Sequence, residues 1–375
     1  MTGKATKKPK KAITVLRRRK VLHVGIDLAR APWSGTLVRA LPANVENHGT
    51  HADDATASVL QLHRPKFPPI TPRTGPGPMN RMARVMRGYE LVVTHGDYAF
   101  PAVMGHTLFG QALKLPPLVH YHDGVGEVGK GWWSRFRHKL GMARTPVVIV
   151  PTQAAARSVT GQWDVPGSRV HILPPLFPPA PKAPPKADAI PRLMKRGSEK
   201  WIAVRAGDAV SLSSQLVDLM EALEEDWHLV VFGPEGETAA LRDAFDAAGQ
   251  LHRLHMTARL HGPAPVAGLF DLAIIDARDG LVPPDMPALM AAGVPFVAIG
   301  PDGLGELLPA ENRKLLVDPA DPSAVAERAA GLAGDADMLE QAGQANAALA
   351  AKWADPVPHL AILAGALGLA SLEDR

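Results

Sequence analysis

The sequence predicts an α/β protein of two doubly wound domains. Three observations predict it: a βαβ unit spelled out in residues 270–300, a length of 375 residues, and a proline-dense break near the middle. Residues 270–300 read FDLAIIDARDGLVPPDMPALMAAGVPFVAIG. Here 272–275 is apolar and partly β-branched, Asp279 and Gly280 interrupt it, 286–292 suits a helix, Gly293 stops that helix, and 294–299 is again a buried-strand pattern. The length exceeds one ordinary compact domain and suits two of roughly 150 to 200 residues. Residues 174–185, PPLFPPAPKAPP, are excluded from helix and central strand because proline lacks the amide donor, so they form an extended connector.

The remaining elements follow in order. Residues 20–26 (KVLHVGI) read as a first strand, 65–78 as an extended Pro/Gly/Thr-rich loop and 79–86 as the start of a helix. Strands are expected at 87–95 and 117–122, each ending in a polar turn, and at 145–151 and 169–173. Thr152 should cap a helix over 152–159. After the connector the rhythm restarts: strand 201–205, helix 214–223, strand 228–232, helix 238–248, a short strand at 259–262, the unit above, and helices from 324 to 351. The expected organisation is a basic tail (1–19), a first domain (20–173), a linker (174–196), a second domain (197–356) and a terminal helical segment (357–375), with no short internal repeat.

Composition narrows the function classes. No cysteine is present, which excludes disulfides, thiolate metal sites and cysteine nucleophiles. The net charge of +4 is a property of the tail: residues 1–20 hold nine Lys or Arg and no acid, leaving 32 bases against 37 acids elsewhere. Such a tail is read first as a solvated end, next as a ligand for an anionic membrane surface, and last as a nucleic-acid contact. The apolar stretch 12–16 is too short for a signal-peptide core and its basic cluster lies on the wrong side. The longest apolar run, 359–372, falls short of the roughly 20 residues a bilayer span needs. A cytoplasmic protein is expected, with a peripheral place at the inner membrane face as the variant the tail allows.

Several polar strand ends are candidates for chemistry. Asp279 should sit at the carboxyl end of a strand, where open α/β sheets place their ligands. His120, Tyr121, His122 and Asp123 end another strand, with His120 and His122 on one face. Two histidines without a third ligand at metal spacing leave a metal site unsupported. Thr94, His95, Gly96 and Asp97 form a similar end, read as part of an acceptor pocket or as a simple turn. Residues 124–130, GVGEVGK, approach a P-loop, yet Gly131 stands where that loop needs Ser or Thr. A glycine loop over a cleft fits better, followed by Trp132 and Trp133 beside Arg135, Arg137 and Lys139 as either a membrane or acceptor contact or a buried packing face.

Asp279–Gly280 and residues 290–295 (MAAGVP) resemble the donor site of the family-4 retaining glycosyltransferases of the two-Rossmann-domain, GT-B type. The order of FGPEG (232–236), GLGELL (303–308) and LLVDPAD (315–321) resembles the same half of that family. The resemblance implies two Rossmann-like domains facing an interdomain cleft, with the terminal helix crossing back to the first. It implies retaining transfer of a hexose from a nucleotide sugar to a glycan or lipid-linked acceptor, without a metal or other cofactor. Arg205, Gly207, Gly233, Gly280 and Glu306 then fall on the donor side, Asp279 on the donor hydroxyls and His122 against the sugar. His95, Asp123 and Gly124 fall on the acceptor side. The chain also departs from the family. The second donor-site Glu falls on Pro287 or Ala288, Val210 and Ser211 occupy the region of the diphosphate Lys, the loop after the first strand (DLARAPWSGT) supplies only Gly35, and LPPLF replaces the closing Asn-Gly. Two readings follow: an active, distant transferase, or a catalytically degenerate module binding a glycan, nucleotide or partner.

Overall fold

The computed structural model describes residues 18–50, 59–71, 74–126, 131–233, 238–258, 260 and 262–373. Two six-stranded parallel sheets organise it, in the orders β2-β1-β3-β4-β5-β6 and β12-β11-β10-β7-β8-β9. The first contains β1 (Arg19–Val24), β2 (Val45–Thr50), β3 (Leu91–His95), β4 (Leu118–Tyr121), β5 (Val147–Val150) and β6 (Val170–Ile172). The second contains β7 (Lys200–Arg205), β8 (Trp227–Phe232), β9 (Leu254–Thr257), β10 (Leu272–Asp276), β11 (Phe296–Ile299) and β12 (Leu316–Val317). Central strands such as LVVTH and LAIID are apolar at successive positions because helices cover both faces of each sheet.

In the first domain Met82, Phe100 and Trp163 fill one face, while Leu37, Leu363 and Leu372 fill the other. The second face therefore depends on residues from the far end of the chain. The helix Val357–Ala366 lies there, with Tyr121 Oη and His359 Nδ1 3.2 Å apart. The Asn44 side-chain amide donates to the Leu372 carbonyl at 3.0 Å. The proline connector passes the same way, and its Phe177 N–H donates to the Trp353 carbonyl at 3.0 Å.

Four elements differ from the sequence expectation. Strand β1 stops at Val24 because Gly25 turns the chain at φ +81°, where a Cβ would lie 2.9 Å from Ala99 Cβ and 3.0 Å from the His95 carbonyl oxygen. Strand β2, VENHGT, was not expected, since a polar strand at a sheet edge carries little hydrophobic pattern. The helix Phe100–Leu113 is apolar on most sides and lacks the periodicity that reveals a surface helix. The strand expected at 259–262 is replaced by β9 at Leu254–Thr257, and Arg259 and His261 lie outside the described residues. Most of the tail, residues 1–17, and residues 127–130 of the P-loop-like stretch lie outside them too.

The carboxyl ends of the two sheets are stitched together through backbone. Val125 N–H donates to the Gly280 carbonyl at 2.8 Å, and Val282 N–H donates to the Asp123 carbonyl at 2.9 Å. Beside this seam Glu306 accepts the Gln153 and Ala154 amide N–H groups at 2.5 and 3.0 Å. Those amides open the helix Gln153–Trp163, whose Thr152 cap accepts from the Ala155 N–H at 3.0 Å. Gly303 completes the contact: a Cβ there would lie 1.8 Å from the Val125 carbonyl oxygen. Gly303→Ala should therefore cost about 1–3 kcal/mol in chemical denaturation and widen the particle in small-angle scattering. Gly331→Ala, on a helix with open space around its Cβ position, should do neither and serves as the control.

Candidate active site

In the second sheet the strand order reverses between β7 and β10, which is where a doubly wound sheet opens a crevice. Arg205 ends β7 and Asp276 ends β10. The Arg205 Nε and Nη2 donate to Asp285 Oδ2 and Oδ1 at 2.7 and 2.5 Å, a two-pronged pair. Burial resists the guanidinium charge, but the hydrogen bonds and charge of Asp285 outweigh it, so Arg205 remains a cation. Asp285 stands just before the helix Met286–Ala291.

The rest of the crevice is acidic. Asp208 Oδ2 accepts the Asp276 N–H at 3.1 Å. The Asp276 carboxylate accepts from the Ser211 hydroxyl at 2.8 Å and from Arg278 Nη2 at 2.5 Å. Asp208, Asp276, Arg278 and Asp279 line an open depression of about 450 Å³. Burial, reinforced by Asp276 and Asp285, pushes the Asp208 carboxyl up to about 7 against the pull of the Asp276 N–H and Arg205. Asp279 Oδ1 accepts the Leu281 N–H at 3.0 Å, closing a turn in which Gly280 has φ +77°. Gly207 leaves open space on the first turn after β7, and Gly233 turns the end of β8 at φ +119°. Residues 234–237, which hold most of FGPEG, lie outside the described residues.

Across the seam lies a small cavity of about 20 Å³, enough for about one water. His95, His122, Asp123 and Trp33 line it from the first domain, Val282 from the second, and His359 from the terminal helix. His122 is 5 % exposed, and neither ring nitrogen has a partner among the described residues. Its ring meets Trp163 edge-on at 5.3 Å. Burial holds its pKa below the ordinary imidazole value, so it is neutral at pH 7. Asp123 Oδ1 is likewise unpartnered, and burial raises its pKa. Gly96 makes room for Asp123: a Cβ would lie 2.6 Å from Oδ2. His95 belongs to a ladder of rings, His23, His95, Tyr121 and His359, with centroids 5.5, 5.7 and 5.8 Å apart.

The fold thus brings His95, His122 and Asp123 to one cavity and joins Gly124 to the Asp279–Gly280 turn through the seam. Glu306 is instead engaged with the first-domain helix end, away from the crevice between β7 and β10. Sequence reasoning did not single out Asp208, Asp276, Arg278, Asp285 or Trp33. One signal was available: Asp285 lies within one helical turn of Pro287 and Ala288, the positions on which the family's second Glu falls. Among the described residues no group of three His, Asp or Glu side chains is placed to hold a metal ion.

The sequence matches the family model for Glycosyltransferase Family 4 over residues 37–179. The chain resembles the family-4 glycosyltransferases. That match falls on the first domain, whereas the motifs quoted above lie in the second. Among solved structures, Alr3699/HepE from Anabaena, in complex with UDP, superposes with a TM-score of 0.69 at 13% identity, covering 93% of this chain and 99% of that one. A glycosyltransferase from Rickettsia africae gives 0.62 at 10% identity over 93% and 99% of the two chains. A protein described as a putative UDP-N-acetylglucosamine 2-epimerase from Listeria monocytogenes gives 0.59 at 17% identity over 93% and 96%. No curated protein matches the sequence. The fold is the two-Rossmann-domain, GT-B arrangement, and at these identities the likeness speaks for fold alone. Among the described residues no helix is long and apolar enough to cross a membrane.

Asp208 gives this site a testable pH dependence. Its native pKa of about 7 lies above the ordinary 3.8, so between those values the native state holds a proton that the unfolded chain releases. The stability it contributes is present below pH 3.8 and is lost as pH rises through about 7. The melting temperature should fall from pH 5.5 to pH 8, and Asp208→Asn should flatten that fall. An unchanged slope in the variant would remove Asp208 as its source.

Proposed function

We propose that the protein is a nucleotide-sugar-dependent glycosyltransferase that moves a hexose, with retention at the anomeric carbon, to a glycan or lipid-linked acceptor. One observation carries this reading: a neutral, buried His122, with both ring nitrogens unpartnered among the described residues, faces a cavity that both domains line. The fold alone does not choose, since a UDP-GlcNAc 2-epimerase from Neisseria meningitidis has a similar one. Alr3699/HepE, similar in fold, was crystallised with UDP and with UDP-glucose, which favours a uridine donor as the first to try.

In this reading the nucleotide lies at the crevice between β7 and β10. Negative charge grows on the departing diphosphate and is met by Arg205, Arg278 and the backbone amides at Gly207 and Gly233. Asp279 accepts hydroxyl hydrogens of the donor sugar, with Gly280 letting the chain turn close to it. His122, uncharged, exchanges hydrogen bonds with the sugar, while His95, Asp123 and Gly124 border the acceptor. No metal takes part, so chelation should leave turnover unchanged. Glu306 serves the donor side only indirectly, by holding the first-domain helix against the seam. A cavity of one water is too small for a hexose, so binding must widen the seam. The basic tail adds contact with an anionic membrane surface, consistent with a lipid-linked acceptor.

A second reading, a catalytically degenerate binding module, is favoured by the engagement of Arg205 with Asp285 and by the carboxylates of Asp208, Asp276 and Asp279 around the crevice. Calorimetric titration with UDP, GDP, ADP and their hexose conjugates separates the two. Saturable binding followed by transfer supports the enzyme, and Asp279→Ala or His122→Ala should then reduce turnover about 10²-fold or more in a folded protein. Nucleotide affinity should also weaken as pH rises through about 7, where Asp208 becomes an anion beside the diphosphate. Absence of binding to every nucleotide would favour the module.

A further inference from the structure

The helix Trp132–Met142 has two faces of different character. Its inner face is fixed: His138 Nε2 pairs with Asp97 Oδ1 at 3.1 Å, its ring stacks on Trp163 at 4.3 Å, and a Cβ on Gly141 would lie 2.4 Å from the Phe100 ring. The outer face carries Trp132, Trp133, Phe136 and Leu140, exposed by 74, 62, 51 and 40 %. Residues 132, 136 and 140 recur every four positions, and Trp133 stacks on Phe136 at 5.8 Å, so the four form one stripe. An apolar stripe of this kind, held outward by a helix whose other side is locked, marks an interaction surface.

Charge selects the partner. Residues 131–163 hold five Lys or Arg and no Asp or Glu. On the helix itself stand Arg135, Arg137 and Lys139, and Arg144 follows at its end. The carboxylates of neighbouring elements are engaged: Asp97 with His138 and Asp164 with Lys139. Tryptophan rings flanked by cations are the composition of a helix lying in the boundary between lipid headgroups and acyl chains. We propose that this helix docks the protein on an anionic lipid surface, with Trp132, Trp133 and Phe136 inserted and Arg135 and Arg137 at the headgroups. The proposal stands whether or not the donor reading holds.

The test is co-sedimentation of the full chain with vesicles of phosphatidylglycerol and phosphatidylcholine in equal parts. It is run at a salt concentration that screens the purely electrostatic tail. The unaltered protein should bind these vesicles in preference to pure phosphatidylcholine, and its tryptophan emission should shift to the blue. Trp132→Ser with Trp133→Ser should weaken binding about tenfold or more and abolish the shift, with an unchanged melting temperature because both side chains face solvent. Phe136→Ser alone should weaken it less. Equal binding by the double variant would overturn the proposal. So would an unaltered protein that elutes as a dimer and a double variant that elutes as a monomer, since a second copy would then cover the stripe.

Discussion

The backbone seam between residues 123–125 and 280–282 is the constraint on which the rest of the arrangement depends. Two hydrogen bonds are few, but they hold the carboxyl ends of both sheets face to face, and each end presents its polar residues to the other. Gly303 permits the approach because any side chain would strike the Val125 carbonyl. Glu306 strengthens it by satisfying two free amides at a helix start, where a carboxylate is favoured by both hydrogen bonding and the helix dipole. The terminal helix ties the same halves together from behind, through His359 and Leu363 on the first sheet. Closure is therefore built into several parts of the chain, and the narrow cavity around His122 is its consequence.

Electrostatics divides the two sides of that closure. On the first-domain side, burial keeps His122 uncharged and raises Asp123, so polar groups wait there without strong charge. On the second-domain side the crevice holds more carboxylates than cations, and both of its arginines are paired. An anion arriving there must compete with Asp285 and Asp276 for the guanidinium groups. Asp208, whose carboxyl burial pushes up to about 7, adds its negative charge to the crevice only as pH rises through neutrality.

Much of the fold was legible in the sequence because buried parallel strands announce themselves as short apolar, β-branched runs between glycine and polar turns. β10, β11, β7 and β8 follow this rule, as does the helix that Thr152 caps. β2 escaped because an edge strand needs no apolar pattern, and the helix Phe100–Leu113 because apolar residues on most of its sides erase the period. At the site, His122, Asp123 and Asp279 were legible as polar residues at strand ends. Asp285 and Asp208 were not, because their significance lies in what they face, Arg205 and Asp276, far away along the chain.

By itself the sequence determined the two-domain α/β plan, the proline connector, the basic tail and the positions where strands end in polar turns. These are local properties: side-chain period, missing amides and charge runs act within a few residues. Only the tertiary structure decided that Arg205 is already held by Asp285, that Glu306 joins the domains and that His122 lies buried without a partner among the described residues. It also decided that Trp132 and Trp133 face solvent while His138 of the same helix is buried. Pairing, desolvation and exposure depend on neighbours that folding brings from distant parts of the chain. No local pattern encodes them.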